Sequence, residues 1–310
     1  MLEFPIKVTN TDLPGELVAI PLLCDWIEAS VLFQKSRELG DAELVDVLMD
    51  EDVCDVQADA WTIKADAWNE LRRRQRGMTS GTYPFFIPAA RLKRRADWSE
   101  VPAYSFCLML SLSVLYKKWA ATFGSDYTVQ GELFELLTEQ SLKASLATWE
   151  IHRTGWSGSQ TRHLAEIVKN VAARVKEPVG NIARWTRPKA KEAGLDILCY
   201  RPYHDDRGSL PVFLMQCSSG RDFEDKLQTP DLKVWGRIVE FTSNPRRAFA
   251  TPRSFSEHDF SMHANTVDGL FLDRYRLLAA SLHNPRWMSN DLKQRIVRWL
   301  RPRVKALPWE

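Results

Sequence analysis

The sequence predicts an α/β (α+β) protein with a mixed central sheet flanked by helices, a helical module before it and a helical tail after it. Three observations support this fold class. Apolar residues recur at helical spacing through about the first 120 residues. Two apolar runs, Leu195–Tyr200 and Val212–Cys217, have the length of strands and are joined by the turn-rich segment Arg201–Pro211. From Ser289 to Arg303, apolar residues follow the helical period again.

The same patterns predict three parts: a helical N-terminal module (1–122), a central domain (123–282) and a basic helical tail (283–310). Helical spacing within the module predicts helices over residues 17–31, 41–48, 58–76 and 103–122. In the central domain we expect helices over 127–149 and 163–176, a strand, the two-strand hairpin, a helix and a final strand. That helix begins at Asp222 or Asp231 and ends at Phe241, and the final strand is Arg247–Ala250.

Charge is distributed unevenly along the chain. Residues 1–71 contain 4 Lys or Arg and 16 Asp or Glu, a net charge of −12, whereas the remainder has 38 basic and 24 acidic residues, a net charge of +14. An acidic module beside a body that approaches phosphates has this pattern, although solvated helix faces also produce it. Basic clusters predict salt-sensitive phosphate binding at 72–76, 91–95, 246–247 and 293–303. The first of them also suits a helix C-terminus.

Several classes of protein are not expected. The five cysteines have no CxxC or CxxH spacing, which argues against a zinc site and a disulfide framework. No secretory signal is visible, and the most apolar run, Tyr104–Tyr116, is shorter than the roughly 20 residues of a membrane span. We therefore expect a cytoplasmic protein without a membrane partner. A GxxxxGK[ST] loop is missing, and Gly155-Trp-Ser-Gly-Ser159 lacks the last glycine of a nucleophile elbow.

Polar residues interrupt both strands of the predicted hairpin. Asp196 lies inside an apolar strand, where an ionised carboxylate is costly unless it is paired or bound to a metal. Gln216 occupies the corresponding place in the next strand, and Ser218 shares its face because side chains alternate along a strand. Oxygen ligands of this kind suit Mg²⁺ or Mn²⁺.

Residues of about 130 to 252 resemble the restriction-endonuclease-like nuclease superfamily, which is named for its PD-(D/E)xK motif. Its leading helix carries a Glu that matches Glu135 in Gly131-Glu-Leu-Phe-Glu135, with Glu132 as the substitute. The metal-binding Asp of the family matches Asp196 in Gly194-Leu-Asp-Ile197. The second acidic or Gln ligand matches Gln216 in Phe213-Leu-Met-Gln-Cys-Ser-Ser-Gly220.

The chain departs from this pattern at the motif lysine. Ser218 stands where the lysine of the family would be, two residues after Gln216. Lys226, on the helix expected from Asp222, is the natural stand-in, since its long stem could reach back to the site. If Lys226 does not reach the site, the resemblance implies a degenerate, non-cleaving fold.

The resemblance implies hydrolysis of DNA phosphodiester bonds with Mg²⁺ or Mn²⁺, for example as the effector of a bacterial restriction or anti-phage system. The metal would be held by Asp196, Gln216, the helix carboxylate Glu135 and a main-chain carbonyl, and Lys226 would steer the attacking water. The acidic residues 1–71 would then be a candidate for autoinhibition or for docking a protein partner.

Two alternatives of a different class stay open. The same fold, without catalysis, could hold DNA or a protein partner, and metal binding separates this case from the enzyme. The chain could also be an adaptor subunit of a larger complex that uses its Trp-rich N-terminal helices. RNA as the substrate and assembly into a homo-oligomer are open as well.

Overall fold

The structure is a computed structural model that describes residues 1–5, 19–34, 38–79, 81–123, 127–154, 164–185 and 193–309. Contacts divide the chain into two compact units. The first unit comprises Met1–Ser125, Pro252–Ser256 and Asn290–Glu310, and the second comprises Asp126–Thr251 and Glu257–Ser289. This division differs from the three parts expected from the sequence, because the predicted tail is split between the two units.

The first unit contains helices and a small antiparallel sheet. Its helices are α1 (Ile20–Phe33), α2 (Asp41–Asp50), α3 (Gln57–Gly77), α4 (Pro102–Leu115), α5 (Lys117–Ala121) and α13 (Asn290–Lys305). Its strands, β1 (Glu38–Gly40), β2 (Phe85–Phe86) and β3 (Arg91–Arg94), pair in the order β1-β3-β2. The helices predicted over 17–31, 41–48 and 58–76 are confirmed, whereas the one predicted over 103–122 is divided into α4 and α5 at Tyr116. The expectation of a helical module did not include the sheet.

Helix α4 forms the centre of the first unit. This helix has no polar face, and every residue from Pro102 to Leu112 is buried. Helices α1 and α13 pack against it, and the rings of Phe106 and Trp299 meet edge to face at 5.0 Å. The predicted basic tail is thus part of this core. No helix in the described part of the chain is long and apolar enough to cross a membrane.

The second unit is built around a five-stranded mixed sheet. Its strands are β4 (Glu150–Arg153), β5 (Ile197–Tyr200), β6 (Val212–Cys217), β7 (Arg246–Ala250) and β8 (Gly269–Leu272). Its helices are α6 (Tyr127–Ser145), α7 (Leu164–Val175), α8 (Ile182–Trp185), α9 (Leu232–Ile238), α10 (Glu257–Val267), α11 (Arg274–Leu278) and α12 (Ala280–His283). These elements confirm the α+β class and the predicted hairpin, which is formed by β5 and β6.

The strand order is β4-β5-β6-β7-β8. The first three strands pair antiparallel, while β7 and β8 run parallel to β6. One face of the hairpin, which includes Leu198, Tyr200, Val212 and Leu214, forms a core with apolar residues of α7 and α9. Period-two alternation then puts Asp196 and Gln216 on this same face, at the edge of the core.

A buried ion cluster holds the helices of the first unit together. The Arg74 guanidinium of α3 donates to Asp25 and Glu28 of α1, both at 2.7 Å, and to Glu70 at 3.0 Å. Two buried phenols, Tyr83 and Tyr104, donate to Glu28, and the side chain of Arg74 is fully buried. Breaking such a cluster leaves uncompensated charge in the core.

Several cations of the predicted phosphate-binding clusters have structural roles instead. Arg74 is buried, and its neighbour Arg73 donates to Glu70. In the second cluster, Arg91 and Lys93 pair with Glu38 at 2.9 and 2.8 Å. Further along the chain, Arg247 donates to main-chain carbonyls of residues 230 and 267, and Arg303 stacks on residue 299. Runs of basic residues in this sequence therefore do not mark a binding surface by themselves.

The ion cluster predicts a large loss of stability when its cation is removed. We expect Arg74→Ala to lower the free energy of unfolding by about 3–5 kcal/mol, because Asp25 and Glu28 stay buried without it. Arg76→Ala is the matched control: this arginine of the same helix turn is exposed, and its change should stay within about 0.5 kcal/mol. Urea unfolding followed by circular dichroism measures both, and equal midpoints for the two variants would contradict the role of the cluster.

Candidate functional site

The β5–β6 hairpin sets Asp196 directly across from Gln216. The register pairs Ile197 with Met215, and the Asp196 N–H donates to the Met215 carbonyl at 2.9 Å, so the ladder extends one residue before β5. On its other side, the Asp196 carbonyl accepts the Thr154 N–H at 2.8 Å. The backbone of Asp196 is therefore fixed from both neighbouring strands.

The carboxylate of Asp196 is buried, with 6% of the residue exposed. Its Oδ2 accepts the main-chain N–H of Cys217 at 2.6 Å and also accepts the side-chain amide of Gln216. Hydrogen bonds of this kind stabilise the ionised form of a buried carboxylate. The expectation that Asp196 and Gln216 point to one face is confirmed.

The side-chain nitrogen of Gln216 lies between two oxygen atoms. Nε2 donates both to Asp196 Oδ2 and to the main-chain carbonyl of Cys217, the latter at 3.1 Å. When the amide turns over, its oxygen and nitrogen exchange places, so Gln216 can present an acceptor at the same point. The Asp196 carboxylate and the Cys217 carbonyl thus flank the Gln216 amide, whose oxygen or nitrogen can face them.

Tight backbone packing closes one side of this pair. Gly194 has φ +72°, and a Cβ there would lie 2.1 Å from Cγ2 of Thr229 and 3.4 Å from Oε1 of Gln216. The Trp235 indole N–H donates to the Ala193 carbonyl at 3.1 Å. Glycine is required at 194 both by its dihedral angle and by the approach of Thr229.

Ser218 occupies the position expected for the motif lysine. It is 1% exposed, and its N–H donates to the Ala250 carbonyl at 2.9 Å, which continues the pairing of β6 with β7. Its hydroxyl is buried and has no hydrogen-bond partner among the described residues. The same holds for the Thr251 hydroxyl at the end of β7. These ends of the parallel strands carry hydroxyls and no cation.

Glu135 lies on α6, where its carboxylate is 3.7 Å from the Arg153 guanidinium of β4. Burial raises the pKa of the Cys217 thiol well above its ordinary value, and the negative charges of Asp196 and Glu135 raise it further. Both carboxylates are therefore close enough to act on one thiol. Glu132, the substitute for Glu135, lies one turn earlier on α6 and is partly buried.

The structure corrects the expected location of Lys226. This residue ends a 3₁₀ turn, Glu224–Lys226, instead of lying on the following helix, which is capped by Asp231. The side chain of Lys226 is exposed, and in the described part of the chain no hydrogen bond or ion pair links it to Asp196 or Gln216. Its carbonyl accepts the N–H of Thr229, the residue that packs against Gly194.

Other residues considered from the sequence lie on β4, on β5 or outside the described residues. His152 lies on β4 and pairs in the ladder with Leu198. The Gly155-Trp-Ser-Gly-Ser159 segment and His163 lie outside the described residues. Burial raises the pKa of the Cys199 thiol to about 12, which excludes it as a nucleophile at neutral pH.

The groups around Asp196 that could bind a metal are oxygen ligands of different chemical types. In the ranges that the structure describes, no group of three or more His, Cys, Asp or Glu side chains could hold a metal ion. The set at Asp196 consists of one carboxylate, one carbonyl and one amide, and it fits the preference of Mg²⁺ for oxygen and for few protein ligands. Comparison with family models, curated proteins and solved structures found no match to this chain.

The sequence reasoning missed two contributors to the site. Thr229 closes it from a turn that carries no motif, and only the glycine at 194 hints at a close approach there. The Cys217 backbone supplies both a donor and an acceptor. The sequence predicted a main-chain carbonyl ligand but did not identify the residue that provides it.

The contact between Asp196 and Gln216 predicts that the stability of a Gln216→Glu variant depends on pH. In Gln216→Glu, two carboxyl groups would share one buried position, so the pKa of at least one rises above its value in the unfolded chain. We expect about 1–3 kcal/mol of lost stability at pH 7 in EDTA. Because the raised carboxyl is protonated below the unfolded pKa of about 4.3, the loss should shrink as the pH falls towards that value.

Gln140→Glu is the matched control for this variant, because Gln140 of α6 forms an exposed hydrogen bond with Ser289. Urea unfolding at pH 7 and pH 4.5 measures the difference between the two substitutions. A Gln216→Glu loss that is independent of pH would show that repulsion between carboxylates is not its cause.

Proposed function

We propose that the second unit is a metal-dependent nuclease that cleaves DNA phosphodiester bonds. The observation that carries the proposal is the Gln216 side-chain nitrogen, which lies between the Asp196 carboxylate and the Cys217 carbonyl. The NH₂ group of Gln216 carries partial positive charge. The two oxygen atoms that accept its hydrogen bonds therefore form a site that favours positive charge. A divalent cation would be held beside this amide by Asp196, the Cys217 carbonyl and, with the amide turned over, the side-chain oxygen of Gln216.

The order of elements supports a restriction-endonuclease-like core. Helix α6, strand β4, helices α7 and α8, the β5–β6 hairpin, helix α9 and strand β7 follow one another along the chain, and β7 runs parallel to β6. The two ligand candidates lie on adjacent strands of this arrangement, and Glu135 lies on its leading helix. The resemblance of the motifs and the topology of the sheet therefore point to the same kind of nuclease.

The proposed reaction assigns a separate role to the metal, to Asp196 and to Lys226. A bound Mg²⁺ or Mn²⁺ lowers the pKa of a coordinated water and offsets charge on the phosphate. Asp196 is held in place by the Cys217 N–H, so it presents a fixed carboxylate. Lys226, three residues before Thr229, has a long exposed side chain that would contact the phosphate or the attacking water.

A second candidate function is a nuclease-like module that binds nucleic acid or a protein partner without cleavage. The observation that favours it is Ser218, which puts a buried hydroxyl in place of the motif lysine. No cation replaces it within the hydrogen-bonded pair. Cleavage by the purified protein separates this candidate from the enzyme.

The nuclease proposal predicts cleavage that depends on both metal and Asp196. We expect the full chain to cut plasmid and linear DNA with Mg²⁺ or Mn²⁺ and not in EDTA. Asp196→Asn should lose roughly 100-fold or more of the rate, because a neutral amide holds a divalent cation poorly. Asp225→Asn, which changes an exposed carboxylate on the nearby 3₁₀ turn, should cleave at the wild-type rate.

Wild-type protein that binds DNA but cuts neither DNA nor RNA with any of these metals would favour the binding module. Equal rates for the Asp196→Asn and wild-type proteins would remove this site from the chemistry.

The role of Lys226 has its own test. If this side chain contacts the scissile phosphate or the water, Lys226→Ala should lower the cleavage rate by about 100-fold. Lys233→Ala is the matched control, because Lys233 is an exposed lysine on α9, seven positions further on. The same small loss in both variants would mean that Lys226 contributes only general attraction for DNA.

A further inference from the structure

An exposed tryptophan of the second unit is contacted by two arginines. Trp185, the last residue of α8, is 41% exposed, which is unusual for so large an apolar side chain. The guanidinium carbons of Arg184 and Arg237 each lie 5.1 Å from the centre of its ring. Both arginines are themselves exposed. We refer to these three residues as the Arg–Trp–Arg surface.

The fold holds the two arginines at this ring. The segment before α8 is hydrogen-bonded to the end of α9: the Gly180 N–H donates to the Ile238 carbonyl at 3.0 Å, and the Glu240 N–H donates to the Pro178 carbonyl at 2.9 Å. A Cβ at Gly180 would lie only 2.3 Å from the Arg237 carbonyl oxygen. Glycine at 180 therefore permits the close approach that brings Arg237 to Trp185.

The Arg–Trp–Arg surface carries two positive charges that are not paired with an acidic side chain among the described residues. Since each guanidinium is 5.1 Å from one ring centre, the two are at most about 10 Å apart. Among the residues that the structure describes, neither arginine forms an ion pair with Asp or Glu. Repulsion between the two cations is relieved when an anion binds, and the planar guanidinium matches the geometry of phosphate oxygens.

We propose that the Arg–Trp–Arg surface binds the sugar-phosphate backbone of the nucleic acid that the site cleaves, an assignment that rests on the proposed function. Two arginines at this separation can contact nearby phosphates of one strand, while the exposed indole covers the sugar or an unpaired base. Helix α9 connects the surface to the site, because its Trp235 donates to the Ala193 carbonyl and Arg237 lies two residues further on.

The test measures binding separately from cleavage. Fluorescence anisotropy of a labelled 30-base-pair DNA is titrated with the full chain in EDTA, at several salt concentrations. We expect Arg184→Ala and Arg237→Ala each to weaken binding about 5- to 10-fold and to reduce the slope of log K against log salt by about one. Trp185→Ala should weaken binding as well, because both arginines lose the ring that holds them.

A second exposed arginine–aromatic pair in the same unit supplies the matched control. The Arg201 guanidinium lies 5.6 Å from the ring centre of Tyr203, which is 51% exposed. Arg201→Ala and Tyr203→Ala should bind DNA as the wild type does. Arg237→Lys keeps the charge but not the planar group, so it should retain the salt slope and recover only part of the affinity. Circular dichroism of each variant verifies that it is folded.

Each of the following results would overturn the inference. Wild-type affinity and salt slope in the Arg184 and Arg237 variants, or an equal loss in the Arg201 variant, would remove this surface from DNA binding even if the protein cleaves DNA. Binding of poly-glutamate but not of DNA at this surface would assign it to an acidic protein partner. A wild-type chain that neither binds nor cuts nucleic acid would contradict both this inference and the proposed function.

Discussion

A carboxylate buried at the start of a central strand is the constraint on which the second unit depends. Ionised carboxylates are costly to bury, and Asp196 is tolerated because the Cys217 N–H and the Gln216 amide donate to it. Both donors come from β6, so the hydrogen bonds require one register of the hairpin. A shift of a single residue would carry Asp196 and Gln216 to opposite faces of the sheet.

The hydrophobic core enforces the same register. Leu198 and Leu214 face α7 and α9 in the core, and they lie two positions from Asp196 and Gln216 along their strands. Packing of the leucines therefore orients the polar pair at the edge of the core. The tight approach of Thr229 to Gly194 then limits which groups can surround the pair. Stability and candidate chemistry depend on the same strand pairing.

The parts of the fold that the sequence could predict are those governed by local periodicity. The alternation of β5 and β6 was sufficient to place Asp196 beside Gln216, and helical spacing located α3, α6 and α13. Long-range contacts were not predictable in this way. A run of arginines does not reveal that Arg74 is buried among acidic residues of another helix. The Arg–Trp–Arg surface was missed because Arg237 is distant in sequence from Trp185.

The positions of Gln216 and Ser218 have a common physical explanation. In the nuclease pattern that this chain resembles, a lysine two residues after the second ligand supplies positive charge beside two carboxylates. Ser218 removes that charge, and a second carboxylate at 216 would then repel Asp196 whenever no cation is present. Gln216 avoids the repulsion because it donates a hydrogen bond to Asp196 and can still offer an oxygen to a metal. Under the proposed nuclease function, the amide compensates for the absence of a lysine at position 218 in the metal-free protein, and the metal site has one negative charge fewer.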